Sequence, residues 1–110
     1  MMRRYARVRE KFTGALYRLA TWEGDVRDRL RGVHWVLKQL TTEELPPELR
    51  DSWQSIMHRL TRYGPELSPD GQVFTDAVTH TMSRIRNSTG RAIATDIYRL
   101  YSTFVSTYGP

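Results

Sequence analysis

Apolar residues recur every three or four positions over most of the chain, which is the spacing of an amphipathic α-helix. The first apolar face contains Tyr5, Val8, Phe12, Ala15, Leu16 and Leu19. Counting on by sevens from Tyr5 meets an apolar residue each time as far as Leu40. The pattern predicts either one helix over residues 3–40 or two helices that break near Gly24, with Asp25 as the N-cap of the second. We favour the continuous helix, kinked near Gly24, because the apolar phase is preserved.

Proline and glycine then divide the chain. Pro46 and Pro47 end the first helical region, because proline lacks an N–H and clashes with the preceding turn, and Pro47 suits the first turn of the next helix. The apolar face of that helix contains Leu49, Trp53, Ile56, Met57, Leu60 and Tyr63. Gly64-Pro65 is expected to end it.

A further helix is predicted to start at Ser68-Pro69-Asp70, which has the form of an N-cap, a first-turn proline and an acid. Its inner face contains Phe74, Ala77, Val78, Thr81, Met82 and Ile85. Asn87–Gly90 is expected to be a break, before a last face of Ile93, Ile97, Leu100, Tyr101, Phe104 and Tyr108. No stretch alternates with period two for long enough to predict a strand. Residues 1–110 are therefore predicted to form a single all-α domain, a bundle of four to five helical segments.

The composition excludes several classes of protein. The chain has 110 residues and no cysteine, so disulfides, thiol nucleophiles and cysteine metal sites are ruled out. No apolar run approaches the ~20 residues that span a bilayer, and no secretory signal is evident. We therefore expect a soluble, cytoplasmic protein without a membrane partner.

Catalytic chemistry has little support in the sequence. No glycine-rich phosphate loop or serine-nucleophile motif is present, so we predict no enzyme activity, no cofactor and no metal. Asp76 and His80 are four residues apart and are expected to form a surface pair. A small enzyme with an arginine-lined pocket is the least favoured alternative, and its candidate residues are Arg27, Arg31, Arg84 and Arg91.

The net charge of +5 arises within residues 1–20, which contain six basic residues and Glu10 as their only acid. The candidate polyanion contacts lie on one side of the first helix and are Arg3, Arg4, Arg7 and Lys11. Such a ridge suits the phosphates of a nucleic acid. The more ordinary interpretation is a solvated helix face. A nucleic-acid-binding accessory protein is therefore the second hypothesis.

The last helix carries no charged residue from Leu100 to Pro110. Exposed helices normally display charged side chains, whereas protein interfaces are depleted in charge and enriched in aromatic residues. The predicted interface contains Tyr98, Tyr101, Ser102, Val105 and Tyr108. A central helix surrounded by its own bundle is the alternative. The leading hypothesis is a protein-interaction or regulatory module that binds another protein or, more specifically, a second copy of itself.

The remaining aromatic and imidazole side chains receive simpler interpretations. Trp22 and Trp53 lie on apolar faces and are predicted to be in the core or at its rim. Trp35 is off the sevenfold phase, so it either covers the rim of the core or contacts a partner. His34 and His58 are expected to face solvent.

Overall fold

The computed structural model describes residues 4–110, which form an elongated body of 54 × 26 × 20 Å. Its five α-helices are α1 (Ala6–Thr21), α2 (Val26–Leu37), α3 (Arg50–Leu60), α4 (Ala77–Arg84) and α5 (Asn87–Tyr108). Two 3-10 turns, Thr42–Glu44 and Pro47–Leu49, lead into α3. A short antiparallel hairpin of β1 (Glu66–Leu67) and β2 (Val73–Thr75) connects α3 to α4. The predicted all-α bundle is confirmed.

The preference for a continuous first helix was wrong, because the chain reverses between α1 and α2. Gly24 has φ +95°, a left-handed conformation that favours glycine. The Asp25 carboxylate accepts the N–H groups of Arg27 at 2.9 Å and Asp28 at 3.3 Å, and the Asp28 carboxylate accepts the N–H of Asp25 at 3.2 Å. This capping box starts α2. Four residues, 22–25, connect the two helices, which is close to the roughly 3.6 residues of one helical turn. The apolar spacing counted along the sequence is therefore the same before and after the break.

The helix predicted to start at Ser68 was also wrong, because this sequence forms the turn of the β-hairpin. The Ser68 N–H donates to the Gln72 carbonyl at 2.8 Å, and the Gly71 N–H donates to the Ser68 carbonyl at 2.9 Å. Ser-Pro-Asp-Gly is as suitable for a turn as for a helix start. Helix α4 begins later, where the Asp76 carboxylate accepts the Thr79 N–H at 2.8 Å.

The core is formed by one face of each helix, largely as the periodicity predicts. Its largest fully buried side chains include Phe12, Leu30, Ile56, Leu60, Ile93 and Phe104. Phe12 of α1 and Phe104 of α5 meet edge to face, with ring centres 5.4 Å apart. The break predicted at Asn87–Gly90 lies slightly earlier, at Ile85–Arg86. Asn87–Gly90 instead form the first turn of α5. No helix within residues 4–110 is long and apolar enough to cross a bilayer.

Candidate interaction surfaces

Part of the predicted basic ridge is engaged in internal contacts. Arg7 donates from Nε to Glu44 Oε1 at 2.7 Å and from Nη2 to the Gln39 carbonyl at 2.8 Å. The pKa of Glu44 is lowered, first by the hydrogen bond from the Thr41 N–H and then by Arg7. Arg7 therefore holds the segment after α2 against α1, which is a structural role.

The other members of the ridge have different surroundings. Arg3 lies outside the described residues. Arg4 is exposed, and its guanidinium lies 5.3 Å from the centre of the Tyr5 ring. Lys11 is half-buried and lines a surface depression together with Tyr17, Arg18 and Trp22. The predicted ridge is therefore not continuous: Arg7 makes internal contacts, whereas Lys11 lies in a depression lined by basic and aromatic side chains.

The predicted interface on α5 is divided in a similar way. Tyr98 is 59% exposed, whereas Tyr101, Ser102 and Val105 are half-buried. Tyr108 makes an internal contact, because its hydroxyl donates to the Glu48 carboxylate, which raises the pKa of Tyr108 to about 12. The Tyr108 ring also meets Tyr5 and Phe104.

The accessible part of the predicted interface continues onto α1. Leu16 of α1 and Tyr101 of α5 line the same small apolar void. Leu19, like Leu16, is only partly buried. We call this surface the α1–α5 face and define it by Leu16, Leu19, Ala94, Tyr98, Tyr101 and Val105. These side chains carry no formal charge.

A groove of about 580 Å³ lies on another part of the surface, between α2 and the start of α4. We call it the tryptophan groove. Its lining residues include Trp22, Glu23, Asp28, Arg31, His34, Trp35, Lys38, Asp76 and Val78. Trp22, predicted to lie in the core or at its rim, is 42% exposed, and Trp35 is 56% exposed. The burial of Trp53 is confirmed.

Cations and an imidazole surround the two tryptophans. The Arg18 guanidinium lies 5.0 Å from the centre of the Trp22 ring, and Lys38 Nζ lies 4.4 Å from that of Trp35. His34 was expected to face solvent but is half-buried in the groove. Burial and then Lys38 lower the pKa of His34.

The other candidate sites are not assembled. Asp76 caps α4, and His80 Nδ1 lies 2.9 Å from the Gly64 carbonyl, so the expected Asp76–His80 pair is wrong. In the part of the chain that is described, no three carboxylate or imidazole side chains are grouped as metal ligands.

The arginine-lined pocket is only partly present. Arg27 and Arg31 line one shallow depression of about 250 Å³, where Arg27 also donates to Asp25. Arg84 stacks on Tyr63 instead, at 4.8 Å from the ring centre. The four candidate arginines therefore do not surround a common cavity.

The β-hairpin presents apolar side chains that the helical interpretation missed. Leu67, Val73 and Phe74 are 57%, 62% and 75% exposed, whereas Phe74 was predicted to face the core. Turn chemistry at Ser68–Gly71 was the available signal, because Ser-Pro-Asp-Gly separates Leu67 from Val73 and Phe74.

Comparison with known proteins identifies no relative: no family model, curated protein or solved structure matches this chain.

Proposed function

We propose that this protein is an interaction module that associates with a second copy of itself through the α1–α5 face. The observation that carries the proposal is the exposure of Tyr98 within a face of half-covered, uncharged side chains. Association would remove this apolar surface from water, which is the main driving force of protein assembly. Tyrosine suits such a place, because it combines a large apolar ring with a polar hydroxyl.

The geometry of the face is compatible with a two-fold dimer. Leu16 and Tyr101 bring α1 and α5 side by side, so the face is formed by a pair of neighbouring helices. Two such pairs related by a two-fold axis present the same side chains to each other, as in a four-helix bundle. The face contains no charge that would have to be buried without a partner.

Light scattering during size-exclusion chromatography tests this proposal. Tyr98→Arg introduces a charge at the centre of the face, and Tyr17→Arg is the matched control, since Tyr17 is an exposed tyrosine in the depression beside Lys11 and Trp22. We expect the wild type and Tyr17→Arg to have the mass of two or more chains, and Tyr98→Arg to have a reduced mass. A one-chain wild type at high concentration, or an unchanged Tyr98→Arg protein, would refute the proposal.

The depression on α1 favours a second candidate function, the binding of a single-stranded nucleic acid. Lys11 and Arg18 lie there beside the exposed rings of Tyr17 and Trp22. Positive charge next to aromatic rings is the combination that holds single strands, by phosphate contact and base stacking. The engagement of Arg7 with Glu44 counts against a continuous basic ridge, so this function stands second.

A salt series with a labelled single strand tests the second candidate. Counterion release predicts that log affinity falls with log salt by about 0.7 per phosphate contact. Lys11→Ala combined with Arg18→Ala should make this dependence shallower, whereas Arg86→Ala, an exposed arginine before α5, should not. Absent binding at low salt would remove nucleic acid as a partner.

A further inference from the structure

The tryptophan groove has the size and the apolar walls of a small-molecule site. Its volume of about 580 Å³ is within the roughly 300–1,000 Å³ typical of ligand pockets. Trp22 and Trp35 line it with partly exposed rings, and the buried Val78 adds an aliphatic surface. Indole rings offer flat surfaces and edges against which a further aromatic ring packs favourably. An aromatic group is therefore a suitable occupant of the apolar part of the groove.

Charged side chains of both signs line the same groove. The cations are Arg31 and Lys38, and the carboxylates are Glu23, Asp28 and Asp76. A ligand with several charges of one sign would meet like charge in the lining, which is unfavourable. A small ligand that carries one positive and one negative group would find a partner for each. The charge pattern thus favours a zwitterion over a polyanion or a polycation.

A guanidinium and a carboxylate lie near each other across this groove. The pKa of Asp76, on the α4 side, is lowered first by hydrogen bonds from Thr79 and then by the positive charge of Arg31 on α2. The Arg31 side chain makes no hydrogen bond or ion pair within residues 4–110. Asp76 accepts the Thr79 N–H through Oδ1, and a carboxylate has further acceptor positions. Both groups therefore retain the capacity to bind a ligand.

His34 adds an uncharged polar group between the two walls. Its half-buried side chain makes no hydrogen bond within the described part of the chain. Burial and then Lys38 hold the pKa of His34 below its ordinary 6.5, so the imidazole is mostly neutral at pH 7. A neutral imidazole has one donor and one acceptor. It therefore offers a ligand a hydrogen bond without adding a third cation to the groove.

We propose that the tryptophan groove binds a small zwitterion with an aromatic ring, which is the chemistry of a free aromatic amino acid. The ligand carboxylate accepts from Arg31, its ammonium donates to Asp76, and its ring packs against Trp35. Arg31 and Trp35 are four residues apart on α2, so their Cβ atoms are about 5–6 Å apart. A methylene and the Cα atom separate the ring of such a ligand from its charged groups, which fits this spacing.

A titration followed by two-dimensional ¹⁵N NMR tests the proposal, with L-phenylalanine as the probe. The chain has three tryptophans, and the indole N–H signal of each reports on its own surroundings. We expect saturable shifts for Trp22 and Trp35. Trp53 is buried and does not line the groove, so its signal should remain in place and serves as the internal control.

Three analogues of the probe separate the contributions of its groups. The compound 2-phenylethylamine lacks the carboxylate, 3-phenylpropanoate lacks the ammonium, and L-alanine lacks the ring. We expect each of them to bind at least about tenfold more weakly than L-phenylalanine, as is typical when a hydrogen bond to a charged group or the burial of a ring is lost.

Two substitutions test the charged contacts from the side of the protein. Arg31→Gln removes the exposed guanidinium, and Asp76→Asn removes the negative charge but retains a side chain that caps α4 equally well. Each should weaken binding of L-phenylalanine by about tenfold or more. The matched controls, Arg86→Gln and Asp51→Asn, change an exposed arginine and an exposed acid outside the groove and should leave the affinity unchanged.

The possible results are distinct from those of the dimer experiment. Absence of a saturable shift, or a shift of Trp53 as large as those of Trp22 and Trp35, would overturn the proposed site. Tighter binding of 2-phenylethylamine than of L-phenylalanine would overturn the zwitterion and make the groove a site for organic cations. The groove lies outside the α1–α5 face, so the mass of the Tyr98→Arg protein is decided independently.

Discussion

At the scale of single residues, the contact between Trp22 and Gly32 determines how closely the end of α1 approaches α2. A Cβ atom placed on Gly32 would lie 2.7 Å from Cε3 and Cζ3 of the Trp22 ring. Gly32 is buried, so the indole takes the space that a side chain would fill. This packing exposes one side of Trp22 and makes it available to the tryptophan groove.

Gly32→Ala should therefore destabilise the protein or leave its stability unchanged, although alanine is the better helix former. Overpacking costs about 1–3 kcal/mol, against a gain of about 1 kcal/mol in helix propensity. Gly14→Ala is the matched control, since its Cβ would lie at an ordinary 3.6 Å from Val36 Cγ1 and should stabilise the protein. Urea unfolding compares the two. If Gly32→Ala stabilises the protein as much as Gly14→Ala, the contact with Trp22 does not restrict Gly32.

His34 predicts a dependence of stability on pH. Burial and Lys38 place its pKa below the ordinary 6.5, while Asp76 opposes this shift. The unfolded chain therefore takes up the proton at a higher pH than the folded chain does. The free energy of unfolding should fall as the pH drops through 6.5 and level off below the folded-state pKa of His34.

Urea midpoints measured between about pH 5 and about pH 8 test this effect, in a range where histidine titrates. His34→Gln should flatten the dependence, and His58→Gln, at an exposed position, should not. A slope that is the same in the wild type and in His34→Gln would contradict the assignment.

At the scale of elements, the capping box at Asp25 and Asp28 decides that the first helical region is two helices. Each carboxylate of the box accepts a backbone N–H that the start of α2 would otherwise leave without a partner. Arg27 adds an ion pair to Asp25 at 2.9 Å, which lowers the pKa of Asp25. The local hydrogen bonds of this turn outweigh the uninterrupted apolar phase.

Asp25→Ala should lower the free energy of unfolding by about 0.5–2 kcal/mol, as for other N-cap replacements. The control is Asp51→Ala, which removes an exposed acid from the first turn of α3 that is not its N-cap. Thermal and urea unfolding should show the loss for Asp25→Ala only. Equal effects of the two substitutions would mean that general helix-dipole electrostatics, not the cap, stabilise α2.

At the scale of the whole molecule, the two ends of the described chain are joined to each other. The Arg9 guanidinium donates to the Tyr108 carbonyl at 2.9 Å and to the Gly109 carbonyl at 3.4 Å. It also lies 5.3 Å from the centre of the Phe104 ring. A basic group at the carboxyl end of a helix complements the helix dipole. Arg9, one of the basic residues of the N-terminal segment, therefore connects α1 to the C-terminal end of α5.

Arg9→Ala should cost about 1.5–3 kcal/mol, the range for hydrogen bonds that involve a charged group. Arg4→Ala is the control, because Arg4 is exposed and makes its ring contact with the adjacent Tyr5. Hydrogen exchange should show faster opening of the last turn of α5 in Arg9→Ala. If Arg9→Ala is as stable as Arg4→Ala, the hydrogen bonds of Arg9 do not stabilise the fold.

Much of this fold follows from local sequence. The spacing of apolar residues predicts the helices and most of their buried faces, including Phe12, Ile56 and Phe104. Proline predicts the entry into α3 at Pro47. These features depend on contacts within one or two helical turns, so neighbouring residues are enough to specify them.

The candidate surfaces were only partly predictable for the same reason. The uncharged stretch of α5 is visible in the sequence, and it led to Tyr98, Tyr101 and Val105. The partners of Arg7 and Arg9 are more than thirty positions away in the chain, and no local pattern identifies them. Ser68-Pro69-Asp70 fits both a helix start and a turn, and nearby residues alone did not distinguish the two.

The sequence by itself therefore determined the helical class, the faces that enter the core and the sharp local signals at proline and at Asp25. Only the tertiary structure decided that Trp22 packs over Gly32 and remains half exposed, and that Leu67, Val73 and Phe74 are more than half exposed within residues 4–110. The physical reason is that backbone hydrogen bonding and amphipathicity are local, whereas burial and charge pairing depend on which distant segments meet.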